Sequence, residues 1–459
     1  MRQNVAGAGV NVVFVIVILY SAMPSDFDSR GMHRRLVAVL IAAVLAGCSA
    51  HGANNADGGG GGGGGGGNGG GGGVGGGVCG NGDGYHDVTE KSCWTTHDAP
   101  GGVSPGSTFD GRYIYFSSGL RYDTQASFSD SSAWVRYDFS GGNSKLSGFE
   151  GTAFDGRYVY FVPSTNSIAV RYDSQSDFST QASWSQFDLS TINSMATGFV
   201  GSVFDGRYLY FVSGTGAYFA RFDTQLSFTD AASWTLLSAP TGHPTNLFGG
   251  VFDGRYIYCP EIRADSGVDE SVVRYDTQAP FAMATSWTEF DITKVDSGAT
   301  GFRGASFDGR YVYFVPTYSL GTFRNDYGIV WRYDTQQMFG SASSWSQFDT
   351  TQLLPTPLTT SFGGSTFDGR YVYFVPGKIN ADQILFRVDT QADFTATSSW
   401  STFDVFLTGA GPQGSTFAGA VFDGRYLYVL PTGDPSIARF DAKTPPALPA
   451  LPEFHGSFY

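Results

Sequence analysis

The sequence predicts an all-β fold, a seven-bladed propeller of four-stranded antiparallel blades, and three observations carry that expectation. First, the run Phe-Asp-Gly-Arg-Tyr-X-Tyr begins at Phe109, Phe154, Phe204, Phe252, Phe307, Phe367 and Phe422, and each copy is followed by Arg-(Tyr/Phe/Val)-Asp. The copies lie 45 to 60 residues apart, the period of a blade whose few short strands must stack on a neighbouring copy to bury both faces. Second, each copy holds several strand-like segments and almost nothing that reads as helix. Third, six Trp-led strands follow the first six copies, at Trp134, Trp184, Trp234, Trp287, Trp345 and Trp400, while the seventh lies before the first copy, at Trp94. An N-terminal strand is therefore expected to complete the last blade, closing the ring and removing two open sheet edges.

One unit shows the elements in order. Phe149 to Phe154 is a short strand rich in small residues. Asp155-Gly156 is a hairpin signal, because the turn needs a positive φ that glycine supplies without strain. Arg157 to Val162 is the second strand, Val170 to Asp173 the third and Trp184 to Asp188 the fourth, with Pro163 and polar residues between the second and third. Within this unit Asp155 is expected to set the hairpin, and Arg157 to pair with Asp173 across neighbouring strands. The competing reading makes Asp155, Arg157, Arg171 and Asp173 a ligand site repeated in every blade, as in a multivalent lectin.

The pattern Gly-X-X-Phe-Asp-Gly-Arg-Tyr-Val-Tyr, then Arg-Tyr-Asp-Thr, then Trp, as in Gly304 to Trp345, resembles the kelch repeat of β-propellers over residues 93–441. Where kelch strands carry a Gly pair after the second strand, Phe314-Val315-Pro316 stands here. The resemblance implies binding or scaffolding more often than catalysis.

The N-terminus speaks of export. From Met32 the chain reads Met-His-Arg-Arg, an apolar run from Leu36 to Leu45, then Ala46-Gly47-Cys48, the layout of a signal peptide over residues 32–47. Leu-Ala-Gly-Cys resembles a bacterial lipobox, which implies cleavage before Cys48, lipidation of its thiol and, with Ser49 following, sorting to the outer membrane or cell surface. Residues 1–31, with an apolar stretch from Val10 to Tyr20, read as an upstream extension or an additional anchor. Residues 48–78 are dominated by glycine and cannot bury a core, so they form a tether with a reach on the order of 30 Å. Cys79 and Cys93 bracket the segment 79–92, and a disulfide between them suits an oxidising compartment better than a metal site, since no second Cys/His pair lies at the right spacing. Cys259 reads as a small buried hydrophobe. Residues 442–459 form a Pro-rich tail.

The net charge of −14, 27 basic against 41 acidic residues, excludes nucleic acid as an expected partner. The membrane (through the lipid anchor) and a protein or carbohydrate ligand remain, with the chain expected to act as a monomer. Function is expected where the copies differ. If the Asp-Gly turns lie on the far face of the ring, the loops between second and third strands share the near face. Copy four inserts Pro260 to Val273, with Glu261, Asp265, Asp269 and Glu270; copy five inserts Val315 to Trp331, with Tyr318, Arg324, Asp326 and Tyr327; copy six carries Lys378 and Asp382. These ten are the candidate ligand-binding residues. No nucleophile elbow, ordered Asp-X-Asp loop or paired histidine motif appears, so no catalytic residue, metal or cofactor is assigned and the chain is expected to bind rather than catalyse. A hydrolase or lyase with an acidic site on the loop-rich face is the alternative.

Overall fold

A computed structural model describes residues 79, 84–104, 106–139, 146–214, 218–238, 247–261, 271–296, 299, 301–316, 328–354, 361–377, 383–409 and 416–451. These form seven four-stranded antiparallel sheets. Blades are numbered here by their Asp-Gly turn and strands from the innermost outwards. The only helical elements among the described residues are single 3-10 turns.

Blade 2 is representative. Its strands are Phe149–Phe154, Tyr158–Pro163, Ile168–Asp173 and Trp184–Asp188. The third begins earlier than its sequence suggested, because Ile168 and Ala169 pair with Asp188 and Phe187 and are buried. The same extension shortens two of the expected insertions. Pro260 ends a second strand and Ser271–Asp276 is already the third, while Val315 and Trp331 are fully packed strand residues in blade 5.

Asp155 organises the far-face turn. Its Oδ1 accepts the Arg157 and Tyr158 backbone N–H groups at 2.9 and 2.6 Å, and its Oδ2 accepts the hydroxyl of Tyr160, at 2.5 Å. Gly156 between them sits at φ 98°, where any other residue would be strained. The same three acceptances recur at Asp110, Asp205, Asp253, Asp308, Asp368 and Asp423. Burial and the adjacent carboxylate push the Tyr160 hydroxyl well above its ordinary range. Asp155→Ala would leave that buried hydroxyl and two N–H groups without acceptors, so we expect a loss of about 2–3 kcal/mol in denaturant unfolding.

The remaining repeated charges are also engaged. Arg157 Nη2 meets Asp173 Oδ2 at 2.8 Å, and the equivalent pair recurs in the other six blades. Arg171 lies over the rings of Tyr158, at 3.9 Å, and of Phe228 in the next blade, at 4.7 Å, so a cation–π contact joins blade to blade. Each Trp that opens a fourth strand donates its indole N–H to the carbonyl six residues back, as Trp184 does to Phe178 at 2.9 Å. The indole rings then stack into the inter-blade core, for example Phe290 on Trp345 at 4.8 Å.

Closure uses the N-terminus. Trp94–Asp98 pairs antiparallel with Ser436–Asp441 as the fourth strand of blade 7. The segment before it replaces the hairpin that precedes a fourth strand elsewhere: Trp94 donates to Val88 O at 2.9 Å, and Arg387, which has no next-blade Phe to stack on, donates to His86 O at 2.7 Å. The other end of the chain also packs. Beyond Asp441, Ala447 N donates to Gly424 O at 2.8 Å, Leu448 packs against the cores of successive blades and Leu451 is buried near Gly309. Residues 442–451 thus form a strap along the turns of blades 7, 6 and 5.

The innermost strands border the central channel and converge on a ring of glycines. Gly106, Gly151, Gly201, Gly249, Gly304, Gly364 and Gly419 stand three residues before the Phe of each Asp-Gly turn. A Cβ on Gly151 would lie 3.0 Å from the Cα of Gly201, and one on Gly106 2.9 Å from the Cα of Gly151. Only glycine lets neighbouring backbones approach this closely.

Candidate functional site: the near face and channel mouth

Strand direction fixes the two faces. First strands run towards the Asp-Gly turns, so those turns, the hairpins between third and fourth strands and the strap share the far face. The near face carries the loops between second and third strands and the blade connections. The described ends of the variable loops (Glu261 and Ser271, Pro316 and Gly328, Gly377 and Gln383) leave from this face on consecutive blades 4, 5 and 6. Within those loops Asp265, Asp269, Glu270, Tyr318, Arg324, Asp326, Tyr327, Lys378 and Asp382 lie outside the described residues, as does Cys48. Glu261 is described. Its backbone N–H donates to Ser271 O at 2.9 Å and its carbonyl accepts from Phe302 N at 3.1 Å, so it bridges the rim of blade 4 to the innermost strand of blade 5.

That bridge leads to a pair the sequence reading did not single out. The residue before each ring glycine is Pro105, Glu150, Val200, Phe248, Arg303, Gly363 or Ala418. Glu150 and Arg303 are the only charged residues on the described innermost strands. They stand in blades 2 and 5, as far apart as a seven-membered ring permits, at the near-face end of the channel. Arg303 is 3% exposed, with its guanidinium carbon 6.0 Å from the centre of the Phe248 ring. Burial pushes the Glu150 carboxyl up to about 8, although the Arg303 charge and a hydrogen bond with Ser164 pull it down. Its Oε2 is enclosed without a hydrogen-bond partner. The signal available in the sequence was a single column of the repeat, small or apolar in other copies and charged in these two.

The pH dependence of stability follows from Glu150. Unfolded, the carboxyl ionises near its ordinary value of 4.5; folded, it holds its proton to about 8. Between these limits the unfolded state sheds a proton that the folded state keeps, so stability falls as pH rises through that window and levels off above it. Because Glu150 is half-buried rather than fully enclosed, the loss should be on the order of 2 kcal/mol. Melting curves across this range should show the decline in the native chain and a flatter profile in Glu150→Gln.

The far face holds one other cluster. Cys79 and Cys93 form a disulfide with Cα atoms 5.2 Å apart, and His86 Nδ1 lies 3.2 Å from Cys79 Sγ. The His86 Nδ1–H donates to Asp441 O at 2.8 Å, and Nε2 meets Thr444 Oγ1 at 3.3 Å. Metal-ligand atoms of Cys79, His86 and Cys93 fall within 4.8 Å of one another, but both sulfurs are committed to their mutual bond. Cys259 is buried between blades 3 and 4.

No protein-family model matches the chain, and no curated protein matches its sequence. Similarity appears in solved structures. The chain is similar to virginiamycin B lyase from Staphylococcus aureus, with a TM-score of 0.52 and 12% identity over 76% of this chain and 98% of that one. It is also similar to the Pan2 WD40 domain of Neurospora crassa, with a TM-score of 0.50 and 10% identity over 77% of this chain and 97% of that one. Likeness at this identity shows the propeller fold, which hosts both catalysts and interaction modules.

Proposed function

We propose that the protein is a surface-tethered bacterial lipoprotein whose propeller binds a protein or glycan ligand through its near face. The observation that carries this reading is the division of labour between the two faces. The repeated Asp, Arg and Tyr groups of the far face are occupied by turns, ion pairs and blade-to-blade stacking, which leaves little for a ligand in each blade. Cys79 is held at the far-face end of the closing strand, so a tether from Cys48 would enter there and leave the near-face loops directed away from the anchor. The resemblance of the repeat to the kelch pattern supports the same reading by analogy. A screen of the chain against immobilised glycans and envelope proteins tests it. Once a ligand is found, Arg324→Ala with Tyr327→Ala should weaken binding at an unaltered melting temperature. If loop changes leave binding intact while each Asp155-type change removes a fraction of capacity, the blades themselves are the sites.

The anchor is tested separately. Cys48→Ser should shift the protein from the detergent-soluble membrane fraction to the soluble exported fraction, or leave an unprocessed precursor, because one thiol carries the lipid. A processed Cys48→Ser protein that still fractionates with membranes would refute lipidation there.

A second reading has one observation in its favour. A carboxyl held neutral near pH 7 is suited to general-acid chemistry, and Glu150 has that character. Turnover of glycosides or lactones that Glu150→Gln abolishes would select a propeller hydrolase or lyase over a binding module.

A further inference from the structure

Two adjacent hairpins of the far face carry no charge. Between third and fourth strands, the hairpins of blades 1, 2, 3 and 6 each hold an exposed aspartate, at Asp130, Asp177, Asp230 and Asp393, whereas residues 277–286 of blade 4 and 335–344 of blade 5 include no charged residue. Each of these two exposes a methionine instead. Met283 is 52% exposed and Met338 76%, and Leu226, in the hairpin of neighbouring blade 3, is 52% exposed. A single exposed apolar side chain needs no explanation, but three on consecutive blades of one face ask for something to cover them.

The charges around these hairpins narrow the choice of what covers them. In each blade the turn aspartate and the aspartate that ends the third strand match two arginines, as Asp155 and Asp173 match Arg157 and Arg171, so the repeated charges of the far face cancel. The near face is different. There Asp98, Asp138, Asp188, Asp291, Asp349 and Asp404 end or follow the fourth strands of six blades, and the exposed Ile192, Val295 and Phe406 each stand just after one of them. Apolar groups mixed with carboxylates suit a protein ligand, whereas a lipid surface prefers apolar groups mixed with arginine, whose stem lies along apolar surface while its head stays at the phosphates. Blades 3, 4 and 5 offer that mixture. The carbonyls of Arg207, Arg255 and Arg310 accept the first N–H of the three hairpins, from Thr224, Thr277 and Thr335, and about half of each arginine side chain is exposed.

We propose that the far face lies on a lipid bilayer, with Leu226, Met283 and Met338 entering the headgroup layer and the arginines of the same blades at the lipid phosphates. This rests on the tether reading and goes beyond it, since a tether alone sets no orientation. The path of the chain favours this face. Residues 48–78 join the propeller at Cys79, which is bonded to Cys93 at the start of the strand that closes blade 7. Blades 3 and 4 stand opposite blade 7 in a ring of seven, so the tether and the apolar hairpins hold opposite edges of one face. A propeller held at one point pivots, and a second contact across the ring stops the pivot and turns the near-face loops outward. Little affinity is needed, because a short flexible tether keeps the face at an effective concentration on the order of millimolar beside the bilayer.

The test is methionine oxidation by chloramine-T, a charged oxidant that stays in water, read by mass spectrometry on the full chain anchored to phosphatidylcholine vesicles and on the soluble Cys48→Ser chain. Met283 and Met338 should oxidise several-fold more slowly in the anchored chain, while Met195, 61% exposed on the near face, should oxidise at one rate in both. Met338→Gln should return Met283 towards its solution rate at an unaltered melting temperature, because the two share the contact. Flotation of the vesicles reads the anchor separately. If the native chain does not float, lipidation at Cys48 is refuted, and coupling Cys48 chemically to a maleimide-headgroup lipid supplies the attachment for the same comparison against the uncoupled chain. The proposal is overturned if Met283 and Met338 oxidise as fast on vesicles as in solution, or if Met195 is the residue protected, which would put the near face on the membrane.

Discussion

Deleting residues 79–98 should convert the chain into an aggregating species with no cooperative unfolding transition. The deletion removes more than a strand. Five cross-strand pairs are lost, from Trp94 opposite Phe440 to Asp98 opposite Ser436, and the edge of Ser436–Asp441 is left open for intermolecular pairing. Trp94 stacks on Phe403 at 4.6 Å and on Phe440 at 5.0 Å, and losing a buried Trp costs about 3–5 kcal/mol alone. Arg387, 6% exposed, would lose the His86 carbonyl, and Lys443 would lose the Tyr85 ring 5.2 Å from its Nζ, leaving both buried cations less well compensated. These losses together are comparable with the whole stability of a domain, about 5–15 kcal/mol. Size-exclusion chromatography and thermal unfolding provide the check. A deletion variant that stays monomeric and melts where the native chain does would show that closure contributes nothing.

That closure was legible in the sequence because its chemistry is local and repeated. Asp155-Gly156 announces a turn wherever it stands, and Trp94 announces a fourth strand because six copies of the same signal follow it. Strand ends were less legible. Ile168 and Ser271 pair in their sheets although the residues before them read as loop, since pairing is decided by the neighbouring strand. The tail showed only its prolines, whereas Leu448 and Leu451 find partners that exist once blades 5, 6 and 7 are assembled. Of the candidate site, the emphasis on the near face followed from strand direction, and of the ten candidates Glu261 alone falls among the described residues, where its backbone joins blade 4 to the innermost strand of blade 5. Glu150 and Arg303 were hidden because they sit in strands that otherwise repeat, and loop length was the measure of variation. Their meaning depends on two residues, 153 positions apart in sequence, whose charges act on each other only within a closed ring that no single repeat encodes.

Gly363→Val should destabilise the ring by about 3 kcal/mol or more. Gly363 lies on the innermost strand of blade 6, and a Cβ there would fall 2.7 Å from the Cα of Ala418 and closer still to the carbonyl of Phe417, both backbone atoms of blade 7. A flexible side chain can move aside at small cost, but a strand hydrogen bonded within its own sheet cannot. The added atoms must push two blades apart or bend one of them, and overpacking of this kind typically costs 1–3 kcal/mol, more where the neighbour is backbone. The adjacent Gly364 constrains the relief, because its own Cβ position lies 3.1 Å from the Cα of Gly419. Gly340→Ala is the matching control, since nothing lies within 4 Å of a Cβ at that position and its effect should stay within about 0.5 kcal/mol. Denaturant unfolding of both variants decides between a close-packed glycine ring and a channel wide enough to admit side chains. If Gly363→Val unfolds with the native midpoint, the innermost strands are not held in contact and the convergence of the blades on glycine is not what fixes the width of the channel.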